Sequence, residues 1–238
     1  MIDIHSHVLY GIDDGAGSIE ESIEILKKSY EIGVKTMVAT PHFYGENTSV
    51  TRFLEKRKRS YESIMEKALK ENIKIPKIVL GAEVNINNHT AHIRNVERLC
   101  IGDTRYILLE MPYVMGGQWV FDHIFKIRSK YHLRPIIAHV ERYMPVTFSG
   151  FGKISPLMDM DVAFQINADS LLKYGTSKCI KKLVKKGCTM CLGSDAHNTD
   201  SRPTRIAEAK KIICNKFGEN LFYEMQENAE LILHDDYL

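Results

Sequence analysis

Seven short apolar runs, separated by amphipathic stretches, dominate the hydrophobic pattern of this chain. They fall at residues 2–5, 36–40, 78–84, 106–110, 135–140, 162–167 and 189–195. Each has the length of a buried strand rather than of a helix. Residues 19–33, 50–72, 116–131, 177–187 and 203–227 carry helical periodicity instead, with a break expected near Gly218. The first of these stretches opens on a capping box, Ser18-x-x-Glu21, and places Ile19, Ile23, Leu26 and Tyr30 on one stripe. Strands alternating with helices predict right-handed β-α-β units around a parallel sheet, an α/β fold. No linker, repeat or low-complexity tract divides the chain, so residues 1–238 are expected to form a single domain.

The polar residues fall where these runs end. His5 and His7 close the first run, and Thr40-Pro41-His42 follows the second. Glu83 ends the third, Glu110 the fourth and His139 the fifth, while Asp195 and His197 close the seventh. The sixth, Phe164-Gln165-Ile166-Asn167, has no titratable end before Asp169. Residues i and i+2 of a strand share a face, so His5 and His7 should aim together, as should Asp195 and His197. In α/β barrels the carboxyl ends of the strands are where active sites assemble.

Carboxylates in apolar runs such as Tyr106–Glu110 are rarely buried unless paired or metal-bound. Gathering several at one barrel mouth would be strongly repulsive without cations. With Asp14 the candidate ligands are His5, His7, Asp14, His42, Glu83, Glu110, His139, Asp195 and His197. That is more than two ions need, so three are expected. Imidazole and carboxylate without thiolate suit Mn, Fe, Co or Zn and disfavour a structural zinc. His89, His92, His123, His132 and His234 fit surface or packing roles better. Arg142 and Arg202 follow the fifth- and seventh-strand ligands and could clamp phosphate oxygens, for which a guanidinium fork is well shaped.

Composition narrows the classes. The 238 residues carry a formal charge of +2, which gives no argument for a nucleic-acid partner. The basic run Arg52, Lys56, Arg57, Lys58 and Arg59 reads as a solvated helix face. No stretch approaches the ~20 apolar residues of a membrane span, and Asp3 and His5 interrupt any leader-like run. A cytoplasmic location is expected, with no membrane insertion. Cys100, Cys179, Cys188, Cys191 and Cys214 read as free thiols, and Cys188-Thr-Met-Cys191 as packing. None of the cysteines has an arginine six residues later, which excludes the C-x5-R phosphate loop of cysteine phosphatases.

The opening His5-Ser-His7 with Gly11-Ile12-Asp13-Asp14-Gly15 resembles the polymerase-and-histidinol-phosphatase (PHP) superfamily. Within it, the chain is similar to the bacterial manganese-dependent protein-tyrosine phosphatases of capsule and exopolysaccharide operons. Ala39–His42, Gly81–Glu83, Leu109–Pro112, Ala138–Arg142, Gln165–Asn167 and Gly193–His197 carry the rest of the likeness, in order. The resemblance implies a distorted (β/α)7 TIM-like barrel holding three Mn2+ ions at the carboxyl ends of the strands. One ion would take His5, His7, Glu83 and Asp195. A second would share Glu83 and add Glu110 and His139, and a third would take Asp14, His42 and His197. Arg142 and Arg202 match phosphate-contacting arginines of the family. Tyr10 stands where the family often has proline, a departure at the rim.

The expected reaction is hydrolysis of phosphotyrosine by a metal-bridged hydroxide. The implied partner is a phosphotyrosine protein such as the tail of a bacterial tyrosine kinase. Candidate ring contacts are Tyr10, Phe43, Tyr44 and Tyr113. The nearest rival is the same chemistry on a small ester such as histidinol phosphate. A nuclease and a non-enzymatic metal-binding regulator are the remaining alternatives.

Overall fold

The computed structural model describes residues 1–88, 90–112, 117–144, 154–173 and 175–238. Nine strand segments occur among them, all paired in parallel: β1 (Ile2–Ser6), β2 (Thr36–Ala39), β3 (His42–Phe43), β4 (Lys77–Leu80), β5 (Glu83–Asn85), β6 (Tyr106–Glu110), β7 (Arg134–Ile137), β8 (Ala163–Asn167) and β9 (Met190–Gly193). They form one sheet of order β1-β2-β4 and another of order β3-β5-β6-β7-β8-β9. β1, β6 and β8 are buried at every position. That is why they read as continuous apolar runs without alternation: parallel strands are covered on both faces.

Nine segments arise from seven runs because two of the runs bend. Pro41 cannot donate to a ladder, and it separates β2 from β3. Gly81 and Ala82 separate β4 from β5. Chain continuity and the bonds Thr40 N–H to Ser6 O (2.8 Å), Gly81 N–H to Ala39 O (2.8 Å) and Glu83 N–H to Pro41 O (3.1 Å) carry each bend from one sheet to the other. The bends set His42 opposite Glu83 in the β3–β5 register. Between β1 and β9, Asp195 N–H donates to His5 O and His7 N–H to Ala196 O, both at 2.8 Å.

Two strands end earlier than the sequence suggests. β7 stops at Ile137, because His139 takes a left-handed conformation (φ 33°) that starts a 3-10 turn over Val140–Tyr143. β9 stops at Gly193, and Asp195 is also left-handed (φ 55°). Asp195 and His197 therefore share a site through a bent segment, not through strand alternation. Non-glycine residues rarely adopt this conformation, and such strain clusters at functional sites.

The helices follow the periodicity. α1 (Ile19–Glu31) is capped by Ser18, whose hydroxyl accepts from Glu21 N–H at 3.2 Å, while Glu21 reaches back to Gly17 N–H at 2.8 Å. Next come α2 (Val50–Lys70), α3 (Gln118–Tyr131) and the single turns α4 (Ser155–Met158) and α5 (Ala168–Leu171). The chain then runs through α6 (Thr176–Lys185), α7 (Ile206–Phe217) and α8 (Glu219–Leu233). Gly218 (φ 93°) makes the expected break between α7 and α8. α8 continues past residue 227 because it packs on β1 and β9, where Gln226 bonds both the N–H and the carbonyl of Ile2.

One sequence expectation fails on α2. Arg57 does not sit on a solvated face. It is half-buried and donates to the carbonyl of Gly81, at the bend between β4 and β5. Among the described residues, no helix is long and apolar enough to cross a membrane.

Candidate metal centre

Eight of the nine candidate ligands are buried or nearly so, and all nine converge. His5, His7, Glu83, His139 and His197 are at most 1% exposed, Asp195 is 3% exposed and Glu110 is 6% exposed. Only Asp14 stands at the rim, its side chain 63% exposed. Glu83 lies at the centre. Its Oε2 is 3.2 Å from His5 Nε2, 3.2 Å from His7 Nε2 and 3.1 Å from His42 Nδ1, and its Oε1 is 2.9 Å from His139 Nε2. Glu110 approaches His42 and His139 at 3.8 Å each. Asp14 Oδ1 lies 3.6 Å from His42 Nε2 and 3.4 Å from His197 Nε2.

Among the described residues, three groups of side chains bring their ligand atoms within 4.8 Å of one another: His5, His7 and Glu83; His42, Glu83 and Glu110; and His7, Asp14, His42 and His197. Glu83, His7 and His42 are shared between groups. Hydrogen bonding alone does not satisfy this arrangement. Among the described residues, Glu83 Oε2, His42 Nδ1 and His197 Nε2 are buried without a hydrogen-bond partner. Lone pairs aimed at a common point, and left unmatched, are what a divalent cation fits.

The surrounding groups orient the imidazoles. Asp13 Oδ2 accepts from His7 Nδ1 at 2.7 Å and from His42 N–H at 2.7 Å, while its Oδ1 accepts from Gly15 N–H. Gln165 Oε1 takes His139 N–H at 2.6 Å and lies 3.0 Å from His5 Nδ1. The backbone carbonyl of Asp195 holds His197 Nδ1 at 2.9 Å. In all three imidazoles so held (His5, His7 and His197), Nδ1 is engaged and Nε2 faces inward, the arrangement by which outer partners set tautomer and ligand basicity. Two glycines leave room for this packing. A Cβ on Gly193 would lie 2.6 Å from His5 Cβ, and one on Gly15 would lie 2.2 Å from His7 O.

Electrostatics points the same way. Burial pulls the His5 and His7 imidazoles down, but Glu83, Asp13 and Asp195 outweigh it and hold both above their ordinary value. Burial lowers His42 and His139, and together with His7 it brings His197 down to about 4. Burial would raise Glu83, yet His5, His139 and His7 hold its carboxyl well below the usual range. Glu110 is pushed up to about 7 by burial and by Glu83. The cluster thus keeps Glu83 anionic and His42, His139 and His197 neutral, the forms that ligate a cation, while a metal reaching His5 and His7 would displace protons.

Arg142 and Arg202 meet at the rim. Both guanidiniums bond Asp195 Oδ2, Arg202 at 2.9 Å, and Asn167 Nδ2 joins them at 2.8 Å. The other oxygen of Asp195 faces His7 and His5 at 3.4 and 3.7 Å. One carboxylate therefore ties the arginines to the imidazole cluster.

Sequence reasoning missed Asp13, Gln165, Asn167, Asp3 and Glu141. Asp3 is fully buried and accepts from His5 N–H and Ser194 N–H. Glu141, also buried, is pushed up to about 7 by desolvation and accepts from Asn167 N–H. For Asp3, Gln165 and Asn167 the signal in the sequence is a polar residue inside an apolar run, two positions from another; Asp13 and Glu141 lie outside the runs and carry no such signal. Of the candidate ring contacts, Phe43 belongs to the core, 1% exposed and packed edge-on to Phe53 at 5.2 Å. Tyr44 does reach the site, its ring 5.2 Å from that of His42. Tyr10 is half-buried, and Tyr113 lies outside the described residues, as does His89. His92, His132 and His234 are exposed and His123 is half-buried.

Replacing Asp13 with asparagine should lower metal affinity or turnover by about 10- to 100-fold, since an amide can no longer hold His7 Nδ1–H and His42 N–H with one charged oxygen. Metal titration of the variant followed by calorimetry checks this. Wild-type affinity and rate would remove Asp13 from the site.

The pattern defining the family described as capsular polysaccharide synthesis, CpsB/CapC, matches residues 1–234. The chain is 30% identical over 244 residues to the tyrosine-protein phosphatase YwqE of Bacillus subtilis, covering 99% of this chain and 92% of that protein. It is 28% identical over 258 residues to the tyrosine-protein phosphatase CpsB of Streptococcus agalactiae, covering both chains completely. A chain from the crystal structures of YwqE from Bacillus subtilis and CpsB from Streptococcus pneumoniae, described as unique metal-dependent tyrosine phosphatases, matches with a TM-score of 0.86. That match has 27% identity and covers 100% of this chain and 96% of the other.

Proposed function

This chain belongs to the CpsB/CapC family of capsular polysaccharide synthesis, and from that premise we propose that it is a metal-dependent protein-tyrosine phosphatase acting at the Glu83-centred cluster. The observation that carries the reading is the convergence of imidazoles and carboxylates from successive strand ends on Glu83, with two arginines at the rim. In this reading residues 1–238 form one domain. The bent strands and the β1–β9 hydrogen bonds support closure into a distorted seven-stranded barrel, with the site at its carboxyl-end mouth.

His5, His7, Asp14, His42, Glu83, Glu110, His139, Asp195 and His197 would hold the metal, and the three overlapping groups accommodate up to three ions. Mn2+ is the proposed ion, and Fe, Co or Zn suit the same oxygen and nitrogen donors. Such ions, when bound, supply Lewis acidity and bring the pKa of a water toward neutrality.

The protein's own residues do the rest. Arg142 and Arg202 would bind the non-bridging oxygens of the phosphoryl group and stabilise the charge that spreads over them during in-line transfer. Asp195 and Asn167 keep the guanidiniums at the rim. Asp13 and Gln165 hold His7 and His5 with Nε2 inward, and the buried strand ends exclude bulk water. The tyrosine leaving group, with a pKa of about 10, needs little help from a general acid. Tyr44 borders the approach to His42 and is placed to meet the substrate ring. The proposed substrate is a phosphotyrosine protein, with a bacterial tyrosine kinase tail as partner, in the cytoplasm.

A phosphotyrosine peptide, histidinol phosphate and a single-stranded oligonucleotide, each offered with Mn2+ and with chelator, test the substrate class. The peptide should be cleaved fastest, and only with metal. Efficient turnover of histidinol phosphate with an intact peptide would move the reading to small esters.

A further inference from the structure

We propose that the cleft beside His42 is a subsite for an acidic side chain flanking the phosphotyrosine, gripped by Arg52 and Lys56. The inference rests on the tyrosine-phosphatase reading of the neighbouring centre. The cleft measures about 290 Å3 and is lined by Ile12, His42, Tyr44, Asn47, Arg52 and Lys56, among others. It therefore adjoins the cluster directly, since His42 Nδ1 lies 3.1 Å from Glu83. A space at the lower limit of ligand pockets suits one or two side chains rather than a cofactor.

The charges on α2 single out this place. Arg57 is spent on the carbonyl of Gly81. Lys58 pairs with Glu62 at 3.7 Å, Arg59 with Glu55 at 4.0 Å, and Lys67 with Glu71 at 2.8 Å. The side chains of Arg52 and Lys56 have no ion pair or hydrogen bond among the described residues, and both line the cleft. They stand one turn apart, so they present charge to one point. The first turn of α2 contains no acidic residue, although that end of a helix favours one. The nearest acids are engaged elsewhere: Glu55, three residues after Arg52 and next to Lys56, faces Arg59 at 4.0 Å, and Glu46, ahead of the helix, accepts a hydrogen bond from Asn87. Two unpaired cations, Arg52 in the first turn of α2 and Lys56 one turn later, beside the metal-ligand cluster are complementary to a carboxylate carried by the substrate. A peptide whose phosphotyrosine occupies the centre and that runs out past His42 and Tyr44 would meet this cleft.

The test compares kcat/KM for a phosphotyrosine peptide flanked by glutamates and for its glutamine counterpart. Each protein is normalised to its own turnover of p-nitrophenyl phosphate. The wild type should prefer the acidic peptide by about 5- to 10-fold, the preference shrinking as salt rises. In the double variant Arg52→Ala, Lys56→Ala the ratio should fall to below about twofold, whereas Lys58→Ala, Arg59→Ala, outside the cleft, should keep it. Equal rates for the two peptides, or a ratio unmoved by the double variant, would overturn the subsite and leave the phosphatase reading intact. Failure to cleave either peptide while histidinol phosphate turns over would sink the phosphatase reading, and the subsite with it.

Discussion

Glu83→Gln should lower kcat/KM for a phosphotyrosine substrate by about a thousandfold and reduce bound metal at the same time. The side chain touches four imidazoles through its two oxygens and belongs to two of the three ligand groups. Glutamine preserves its volume, so β5 and its register with β3 and β6 should survive. What changes is charge and chemistry. A neutral amide presents N–H donors to imidazole nitrogens whose lone pairs point inward, and it no longer bridges. Stabilisation of several kcal/mol by a bound cation corresponds to about three decades of rate. Elemental analysis of the purified variant, alongside its rate, gives the answer. Full metal content with a rate within about tenfold of wild type would show that the cluster is not organised on Glu83.

The second large effect belongs to the rim. Arg142→Ala should depress kcat by about 100- to 1000-fold while metal content stays at the wild-type level. Arg142 shares Asp195 Oδ2 with Arg202 but contributes no ligand atom. Its loss therefore removes charge stabilisation of the transferring phosphoryl group, and preorganised donors of this kind are worth about two to three decades. Arg142→Lys should recover only a small part, because an ammonium on a flexible stem cannot reproduce a planar fork. If Arg142→Ala loses metal in proportion to activity, the residue supports Asp195 and does not clamp phosphate.

How much of this was legible beforehand depends on the type of residue. Strands buried on both faces announce themselves as apolar runs, and a histidine or acid at the end of such a run is conspicuous. His5, His7, His42, Glu83, Glu110, His139, Asp195 and His197 could thus be read from position alone. The bends at Pro41 and Gly81 were less visible, since one lies just past the end of an apolar run and the other is a local departure within one. The left-handed turns at His139 and Asp195 follow from tertiary packing and leave no periodic signature.

The orienting residues were harder still. Gln165 and Asn167 are neutral amides, so a search for titratable strand ends passes over β8, although it supplies both the bridge between His5 and His139 and a bond to Asp195. Asp13 and Asp14 are adjacent and chemically identical. Only the fold shows that Asp13 turns inward to His7 while Asp14 stays at the rim. Arg57 looked like its basic neighbours because burial by a distant bend is not encoded within a helix face.

We propose that a metal cluster held on Glu83 makes this chain a phosphotyrosine hydrolase. The most direct test is the rate of phosphate release from a phosphotyrosine peptide by protein stripped with chelator, dialysed and titrated with Mn2+. Release should be negligible from the stripped protein and recover as ions bind, saturating at a stoichiometry above one per chain. Undiminished hydrolysis by the fully stripped protein, or metal binding at full stoichiometry without any hydrolysis, would contradict this assignment.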